Sequence, residues 1–309
     1  STENSPTFIN GVLDKIYNMR VLGVERPAAK AIAPRPATGE LTPDPEARVD
    51  MHVHSRASDG DVAPQDLPAL AADAGMSAFC LLDHDTMAGL GAATEAAEEA
   101  GVLVIPGLEM TAYAPRLEGD GMQEMHIGGV FVDPTHEGLN DTIVQVLRRR
   151  VERIHEMAER LLKMGVRVDP ERVVQRARGQ AVGRPHLAQE LVARGYCRDI
   201  NEAFARYVGD ESEAYVRKKE MTPGEVIDLF HEAGGAAVLC HPGTMRDGTS
   251  YVPMLAEAGL DGLEVHYPAH NRVQEKDLMD LCDEHDLVVC GGSDFHGSVK
   301  PDIHVGQEF

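Results

Sequence analysis

Two histidines two residues apart, His52 and His54, end the apolar run in the stretch VDMHVH. Side chains alternate between the two faces of a β-strand, so this spacing places both imidazoles on one side. Asp294 and His296 repeat the spacing in the stretch GGSDFHG. Imidazole and carboxylate groups are ligands of zinc, iron and manganese ions, and both pairs therefore indicate a metal site.

Four more residues of this kind follow or end apolar runs between the two pairs. They are His84, Glu109, His126 and His241. The carboxyl ends of strands in parallel α/β folds share one face, where active sites are built. Buried polar groups cost free energy unless they are paired or bound to a metal, so a metal centre explains these positions best. The candidates outnumber the ligands of one ion and include no cysteine, which indicates two or three catalytic ions (Mn, Fe or Zn) rather than a thiolate-type zinc site.

Seven short apolar runs would position these residues: RVDMHVH, SAFCLLD, VLVIPGLEM, MHIGGVFV, GAAVLCH, DGLEVHY and LVVCGGSD. Several of them are continuous rather than alternating, which is typical of a parallel sheet buried on both faces. Helical stretches such as LGAATEAAEEAG lie between them. The sequence therefore predicts a parallel α/β sheet or barrel.

Residues 135–232 interrupt this alternation because they are almost entirely helical. Apolar residues in this segment recur three and four apart, as on one face of a helix: Leu147, Val151, Ile154, Ala158 and Leu161. We expect an insertion domain here, between the fourth and fifth strands of a barrel formed by residues 48–134 and 233–309. Residues 1–47, rich in Pro and Ala, are expected to form an N-terminal arm or leader.

The charge of the chain limits the ligands that it can bind. Against 29 Lys and Arg stand 51 Asp and Glu, a formal charge of −22. Such a chain should repel long nucleic acid, but bound cations would offset the charge for a small anion. We expect no membrane span, because no apolar run approaches the roughly 20 residues required. The N-terminal stretch lacks the layout of a secretion signal, and the five cysteines have no CxxC spacing, so we expect a cytoplasmic protein.

The ordered set DMHVHS…SDG, LLDHDT, GLEMTAY, MHIGG, LCHPG and GGSDFHG resembles the PHP (polymerase and histidinol phosphatase) phosphoesterases. The resemblance covers roughly residues 48–309 and implies a distorted (β/α)7 barrel with a trinuclear metal centre. It implies one ion held by His52, His54, Glu109 and Asp294. Glu109 would bridge to a second ion held by His126 and His241. A third ion would be held by Asp59, His84 and His296. Many family members carry histidine at the position of Asp59, so the third site is expected to bind its ion more weakly or to prefer a harder metal ion.

The stretch AVGRPHLAQELV in the expected insertion resembles one branch of this family. That branch acts on nucleoside 3′,5′-bisphosphates and short oligoribonucleotides, and the resemblance implies that Arg184 and His186 contact the substrate. The planar guanidinium fork of arginine matches phosphate oxygens. A purely structural role for Arg184, as a cap or ion pair of the insertion, stays open.

The implied reaction is hydrolysis of a phosphomonoester, with Glu109, Asp294 and His241 at the catalytic centre. Cations would lower the pKa of a bridging water toward about 7, and the resulting hydroxide would attack phosphorus. Two candidate anion sites, the metals and Arg184, favour adenosine 3′,5′-bisphosphate as substrate, with AMP as product. Alternatives are a histidinol-phosphate-type or other small-molecule phosphatase, a 5′-3′ exoribonuclease on short oligoribonucleotides, a C–N hydrolase of the wider metal-barrel superfamily and a non-catalytic binding module. A bridging carboxylated lysine would mark the C–N hydrolase, and lost ligand positions would mark the binding module; the sequence has neither feature.

Overall fold

The computed structural model describes residues 47–177, 181–209, 211–217 and 221–307. The arm expected at the N-terminus therefore lies, apart from Ala47, outside the described residues. The chain divides into two compact units. The first contains the described residues up to Leu139 and from Met221 onward, and the second lies within Asn140–Glu220.

The first unit is built on a seven-stranded sheet in which neighbours along the described chain are also neighbours in space. The strands are β1 (Val49–Val53), β2 (Ala78–Leu81), β3 (Leu103–Pro115), β4 (Met122–Val130), β5 (Ala236–Leu239), β6 (Gly262–His266) and β7 (Val288–Gly291). After β7 the chain returns to β1: the His54 N–H donates to the Phe295 carbonyl at 2.9 Å, and the Asp294 N–H donates to the His52 carbonyl at 2.8 Å. The sheet thus nearly closes into a barrel, which confirms the expected fold class.

One strand departs from the parallel arrangement that the sequence predicts. β4 pairs antiparallel with both β3 and β5, whereas the other neighbouring strands pair parallel. Only six residues separate β3 from β4, and so short a connection can join antiparallel strands but not parallel ones. The prediction of a uniformly parallel sheet is therefore wrong at β4. Because β4 is reversed, His126 comes early in its apolar run and still pairs with Thr111, close to Glu109 in β3.

The helices of the described chain are α1 (Leu67–Asp73), α2 (Leu90–Ala100), α3 (Glu137–Lys163), α4 (Pro170–Arg176), α5 (Arg184–Ala193), α6 (Ile200–Ala203), α7 (Pro223–Glu232), α8 (Val252–Glu257) and α9 (Arg272–His285). Helix α7 packs on β3, β4 and β5 and begins at a reciprocal cap. The Thr222 N–H donates to Glu225 Oε2 at 2.7 Å, and the Glu225 N–H donates to Thr222 Oγ1 at 3.3 Å. Although the sequence pattern grouped α7 with the insertion, the structure includes it in the first unit.

The second unit has its own apolar core. From α3, Ile154, Met157 and Leu161 are buried in it, together with Leu187 and Leu191 from α5. Two residues of the predicted apolar stripe, Ile154 and Leu161, are thus core residues, as the helical spacing indicates. None of the helices in the described part of the chain is both long and apolar enough to cross a membrane.

Candidate metal centre

The first unit brings together all nine side chains that the sequence singles out as metal ligands. Glu109 and His126 lie within β3 and β4, and His52 lies within β1. The remaining six follow strand ends: His54 and Asp59 after β1, His84 after β2, His241 after β5, and Asp294 and His296 after β7. The nearly closed sheet therefore gathers residues that are spread along the chain into one cluster.

Glu109 lies at the middle of this cluster and is 1% exposed. Its Oε1 is 3.0 Å from Nδ1 of His126 and 3.1 Å from Nε2 of His241. Its Oε2 is 3.0 Å from Nδ1 of His84, 3.3 Å from Nε2 of His54 and 3.6 Å from Nε2 of His52. The two oxygens of one carboxylate thus face two different sets of imidazoles.

Asp294 also divides its two oxygens. Oδ2 accepts a hydrogen bond from the Tyr267 hydroxyl at 2.8 Å and another from the Lys300 ammonium. Oδ1 lies 3.3 Å from Nε2 of His54 and 3.2 Å from Nδ1 of His296. Tyr267 and Lys300 therefore hold this carboxylate so that one oxygen remains directed at the histidines.

Asp59 lies at the edge of the cluster, with 41% of its side chain exposed. One oxygen is 3.3 Å from Nε2 of His296 and 3.5 Å from Nδ1 of His54, and the other is 3.7 Å from Nε2 of His84. These four side chains form one of the groups whose ligand atoms are close enough to hold a metal ion. This group is more open to solvent than the groups that include Glu109.

Several ligand atoms of the cluster are buried without a hydrogen-bond partner. They are Nδ1 of His84, Nδ1 of His126 and Oε2 of Glu109. Each histidine nitrogen lies 3.0 Å from a Glu109 oxygen, but the groups do not have hydrogen-bond geometry. A buried polar atom without a partner is costly, and a cation between such atoms would satisfy all of them. The donor set of imidazoles and carboxylates fits divalent Zn, Mn or Fe.

The charges in the cluster shift the titration of its members. Burial disfavours a charged imidazole, yet Asp294 and Glu109 raise the pKa of His54 to about 10. Burial opposes charging of His126 in the same way, and Glu109 nevertheless raises its pKa to about 9. Burial also opposes ionisation of Glu109, but His84 and His126 hold its pKa well below the usual range. Without a metal, Glu109 is therefore ionised, and protons on His54 and His126 balance part of the carboxylate charge.

The structure reveals one supporting carboxylate that the sequence did not single out. Glu264, buried in β6, has Oε1 2.9 Å from Nδ1 of His52, and its Oε2 accepts the His241 N–H at 2.6 Å. A proton on Nδ1 of His52 leaves Nε2 as the free lone pair, and Nε2 is directed at the cluster, 3.0 Å from Nε2 of His54. An acidic residue within the apolar run DGLEVHY was the signal that could have identified Glu264.

Two ligand candidates have backbone conformations that favour glycine. His241 has φ of 35° and Asp294 has φ of 53°. Such values are uncommon for residues with a Cβ atom and cost free energy unless the surroundings enforce them. The hydrogen bond from the His241 N–H to Glu264 and that from the Asp294 N–H to the His52 carbonyl supply this enforcement.

The two predicted substrate contacts, Arg184 and His186, lie in the second unit at the start of α5. The Arg184 guanidinium carbon lies 5.5 Å from the ring centre of Tyr215 and 5.8 Å from that of Phe204. The Gly183 N–H donates to Nδ1 of His186 at 3.2 Å, so the His186 ring also caps the helix. The metal-ligand candidates and these two residues thus belong to different compact units.

Comparisons with known proteins agree with this site. Residues 50–198 match the PHP domain. The chain is 32% identical to the 5′-3′ exoribonuclease Rnm of Escherichia coli over 84% of this chain and 88% of that protein. It is 32% identical to phosphoribosyl 1,2-cyclic phosphate 1,2-diphosphodiesterase of Eggerthella lenta (83% and 97%) and 28% identical to 3′,5′-nucleoside bisphosphate phosphatase of Chromobacterium violaceum (84% and 91%).

A solved structure leads to the same family. A protein from Bifidobacterium adolescentis, assigned as a metal-dependent phosphoesterase, superimposes with a TM-score of 0.73 at 31% identity. The superposition covers 85% of this chain and 92% of that one. The matched stretch contains six of the nine clustered residues, from His52 to His126, and the alignment with the Escherichia coli relative covers 84% of the chain. The chain therefore belongs to the PHP family of metal-dependent phosphoesterases and is a hydrolase of phosphoric esters.

Proposed function

We propose that the cluster holds three divalent ions and that Glu109 bridges two of them. The observation that carries the proposal is the division of its carboxylate between two sets of imidazoles. His52, His54 and Asp294 would complete one site with Glu109. His126 and His241 would complete the second. Asp59, His84 and His296 would form the third, which is the more solvent-exposed group.

Divalent ions bound there would supply Lewis acidity, lowering the pKa of a water molecule and offsetting charge on a phosphoryl group. The chain itself would orient the ligand side chains and determine which imidazole nitrogens carry protons. Glu264 holds the Nδ1 edge of His52, and Tyr267 with Lys300 holds the outer oxygen of Asp294. We place Glu109, Asp294 and His241 at the reacting centre, because each contributes a ligand atom and is held in place by named partners.

For the substrate we propose a nucleoside 3′,5′-bisphosphate that loses its 3′-phosphate, with adenosine 3′,5′-bisphosphate giving AMP. The relative from Chromobacterium violaceum is named 3′,5′-nucleoside bisphosphate phosphatase, which supports a bisphosphate as the substrate. Arg184 and His186 would bind a phosphate of the substrate. The aromatic rings of Phe204 and Tyr215 lie close enough to the Arg184 guanidinium to stabilise its charge, and its planar fork matches phosphate oxygens.

A second candidate is 5′-3′ exonucleolytic cleavage of short oligoribonucleotides. Its support is the 32% identity to the Escherichia coli exoribonuclease, which exceeds the 28% identity to the bisphosphate phosphatase. Both reactions use one phosphoryl group at the metals and a second anion elsewhere on the substrate. They differ in whether a phosphomonoester or a phosphodiester is cleaved.

A substrate panel tests both proposals. Purified protein loaded with Mn²⁺ would be assayed for phosphate release from adenosine 3′,5′-bisphosphate, AMP, histidinol phosphate and a cyclic phosphoribosyl phosphate, and for AMP release from a 5′-phosphorylated trinucleotide. We expect the bisphosphate to have the highest kcat/KM. Faster turnover of histidinol phosphate would overturn the substrate proposal, and faster trimming of the trinucleotide would favour the second candidate.

A further inference from the structure

The second unit differs in charge from the remainder of the chain. Asn140–Glu220 contains 17 Lys and Arg against 13 Asp and Glu, a formal charge of +4. The other residues contain 12 basic against 38 acidic side chains, a charge of −26, and together these make the −22 of the whole chain. The basic residues are thus concentrated in a unit that contains none of the nine metal-ligand candidates.

Within this unit, three arginines surround one buried carboxylate. The Glu190 side chain is 0% exposed, and the Nε atoms of Arg176 and Arg194 each lie 2.6 Å from one of its oxygens. Nε of Arg172 lies 3.4 Å from the same oxygen as Arg194. The Arg176 and Arg194 side chains are about one-third exposed, and the Arg172 side chain is 59% exposed. We call these four residues the Glu190 cluster.

In the Glu190 cluster, three guanidinium groups surround a single carboxylate, which one guanidinium could neutralise. One guanidinium forms two hydrogen bonds with a carboxylate, so a second and third add mutual repulsion unless an anion binds them. Asp169, which caps α4, also attracts Arg194, so this guanidinium interacts with a second carboxylate. Each of these arginines contacts Glu190 through Nε, and within the described part of the chain no hydrogen bond is formed by their Nη groups.

We propose that the Glu190 cluster is an anion site that binds backbone phosphates of a short single-stranded oligonucleotide. Glu190 would anchor the three guanidinium groups through Nε, so that their Nη donors point to the ligand. Phosphates bind such forks through paired hydrogen bonds, and the unit's net positive charge would attract a ligand with several phosphates. The ligand class rests on the second candidate function, cleavage of short oligoribonucleotides, whereas the anion site itself requires no metal.

Binding can be measured separately from turnover by removing metal. Metal-free protein in EDTA would be titrated into fluorescein-labelled oligoadenylates of two to six nucleotides, with fluorescence anisotropy as the readout. Inorganic phosphate and AMP would be tested as competitors. We expect affinity to rise with length and to fall with salt, and both small anions to compete poorly. Tight binding of inorganic phosphate with no dependence on length would overturn the proposal, since it would mark a site for a single ion.

Variants test whether the Glu190 cluster carries the binding. Arg172→Gln should weaken binding roughly three- to tenfold. It should also make the slope of log affinity against log salt concentration shallower by roughly 0.7, the value for one lost phosphate contact on a single strand. Arg172 is the most exposed of the three and has the longest contact, so its loss leaves Glu190 paired and the fold intact. Arg172→Lys should show an intermediate loss, because it retains the charge without the fork.

Arg148→Gln is the matched control. Arg148 lies in the same unit, is 80% exposed and pairs one-to-one with Glu152 at 3.0 Å, so the substitution removes the same charge outside the Glu190 cluster. We expect wild-type affinity. Equal losses in the Arg148 and Arg172 variants, or no loss in either, would overturn the proposal. Because the assay contains no metal, a failure of binding is distinct from a failure of the phosphatase activity.

Discussion

Oε1 of Glu264 lies 2.9 Å from Nδ1 of His52, and both groups are buried. The same carboxylate accepts the backbone N–H of His241, so one side chain orients residues of two proposed metal sites. Partners of this kind determine which imidazole nitrogen carries the proton, and their loss typically weakens metal binding 10- to 100-fold.

Glu264→Gln should lower metal affinity by roughly 10- to 100-fold, because an amide cannot stabilise the His52 tautomer as a carboxylate does. Metal content after dialysis against a graded chelator would measure the loss. Glu257→Gln, at an exposed position of α8, provides the control and should retain full metal content. Wild-type metal retention in Glu264→Gln would show that Glu264 joins β6 to His52 and His241 without contributing to metal affinity.

Glu109→Gln should reduce both the number of bound ions and the turnover, since it replaces the proposed bridging carboxylate with a neutral amide. Metal analysis by mass spectrometry and the phosphate-release assay would be made on the same preparation. Full metal occupancy with unchanged turnover would contradict the bridging role.

Metal binding should release protons at neutral pH. The metal-free protein has the pKa of His54 raised to about 10 and that of His126 to about 9, so both imidazoles are protonated at pH 7. Ligation requires the neutral ring, and apparent metal affinity should therefore rise as pH increases from 7 towards 9. Titration of Mn²⁺ into weakly buffered protein with a pH indicator would detect the protons. Binding without proton release would show that these rings are neutral in the metal-free state.

The same shifts predict the stability of the metal-free protein. Charged His54 and His126 are stabilised by carboxylates in the folded state, because their folded pKa values exceed the ordinary value of 6.5. Their contribution is complete below about pH 6.5 and is lost as pH rises through about 9 to 10. Thermal unfolding in EDTA should show a midpoint that declines over this range. A midpoint independent of pH between 7 and 10 would contradict the assignment.

Arg184→Ala should lower kcat/KM for adenosine 3′,5′-bisphosphate while metal content stays unchanged. A charge-assisted hydrogen bond to phosphate contributes about 1.5–3 kcal/mol, which corresponds to roughly 10- to 150-fold. Arg198→Ala is the control, because Arg198 is 86% exposed and pairs with Glu202. If Arg184→Ala unfolds the second unit, Arg184→Lys provides the test at retained charge. An unchanged kcat/KM in a folded variant would leave Arg184 with its packing role against Phe204 and Tyr215.

Gly292→Ala should destabilise the barrel and weaken metal binding together. A Cβ atom at this position would lie 2.4 Å from the His52 Cβ and 2.5 Å from its backbone nitrogen, so β1 would have to move. We expect a loss of about 1–3 kcal/mol in the free energy of unfolding. Gly91→Ala in α2, where a Cβ atom meets nothing within 4 Å, should leave stability unchanged or slightly raised. Equal stabilities for the two variants would contradict the close approach.

Much of the barrel follows from periodicity, but strand direction does not. His52 and His54 share a side because a strand has a period of two, and the seven apolar runs all form strands. The reversal of β4 was not predicted, since an apolar run reads the same for either direction. Glu264 was missed because its role arises from contacts with His52 and His241, which are distant in sequence. Metal binding by the nine residues stays a prediction, although the structure brings their side chains together.

The hydrogen bonds that join β1 to the segment after β7 have a consequence for biosynthesis. His52 and His54 are synthesised well before Asp294 and His296, which meet them across this junction and are among the last described residues to be made. Bringing such distant segments together costs chain entropy, so the junction forms late and slowly. During translation the nascent chain would expose an incomplete set of ligands. Metal loading would thus follow the synthesis of Asp294 and His296, and ions offered earlier would meet only partial sites.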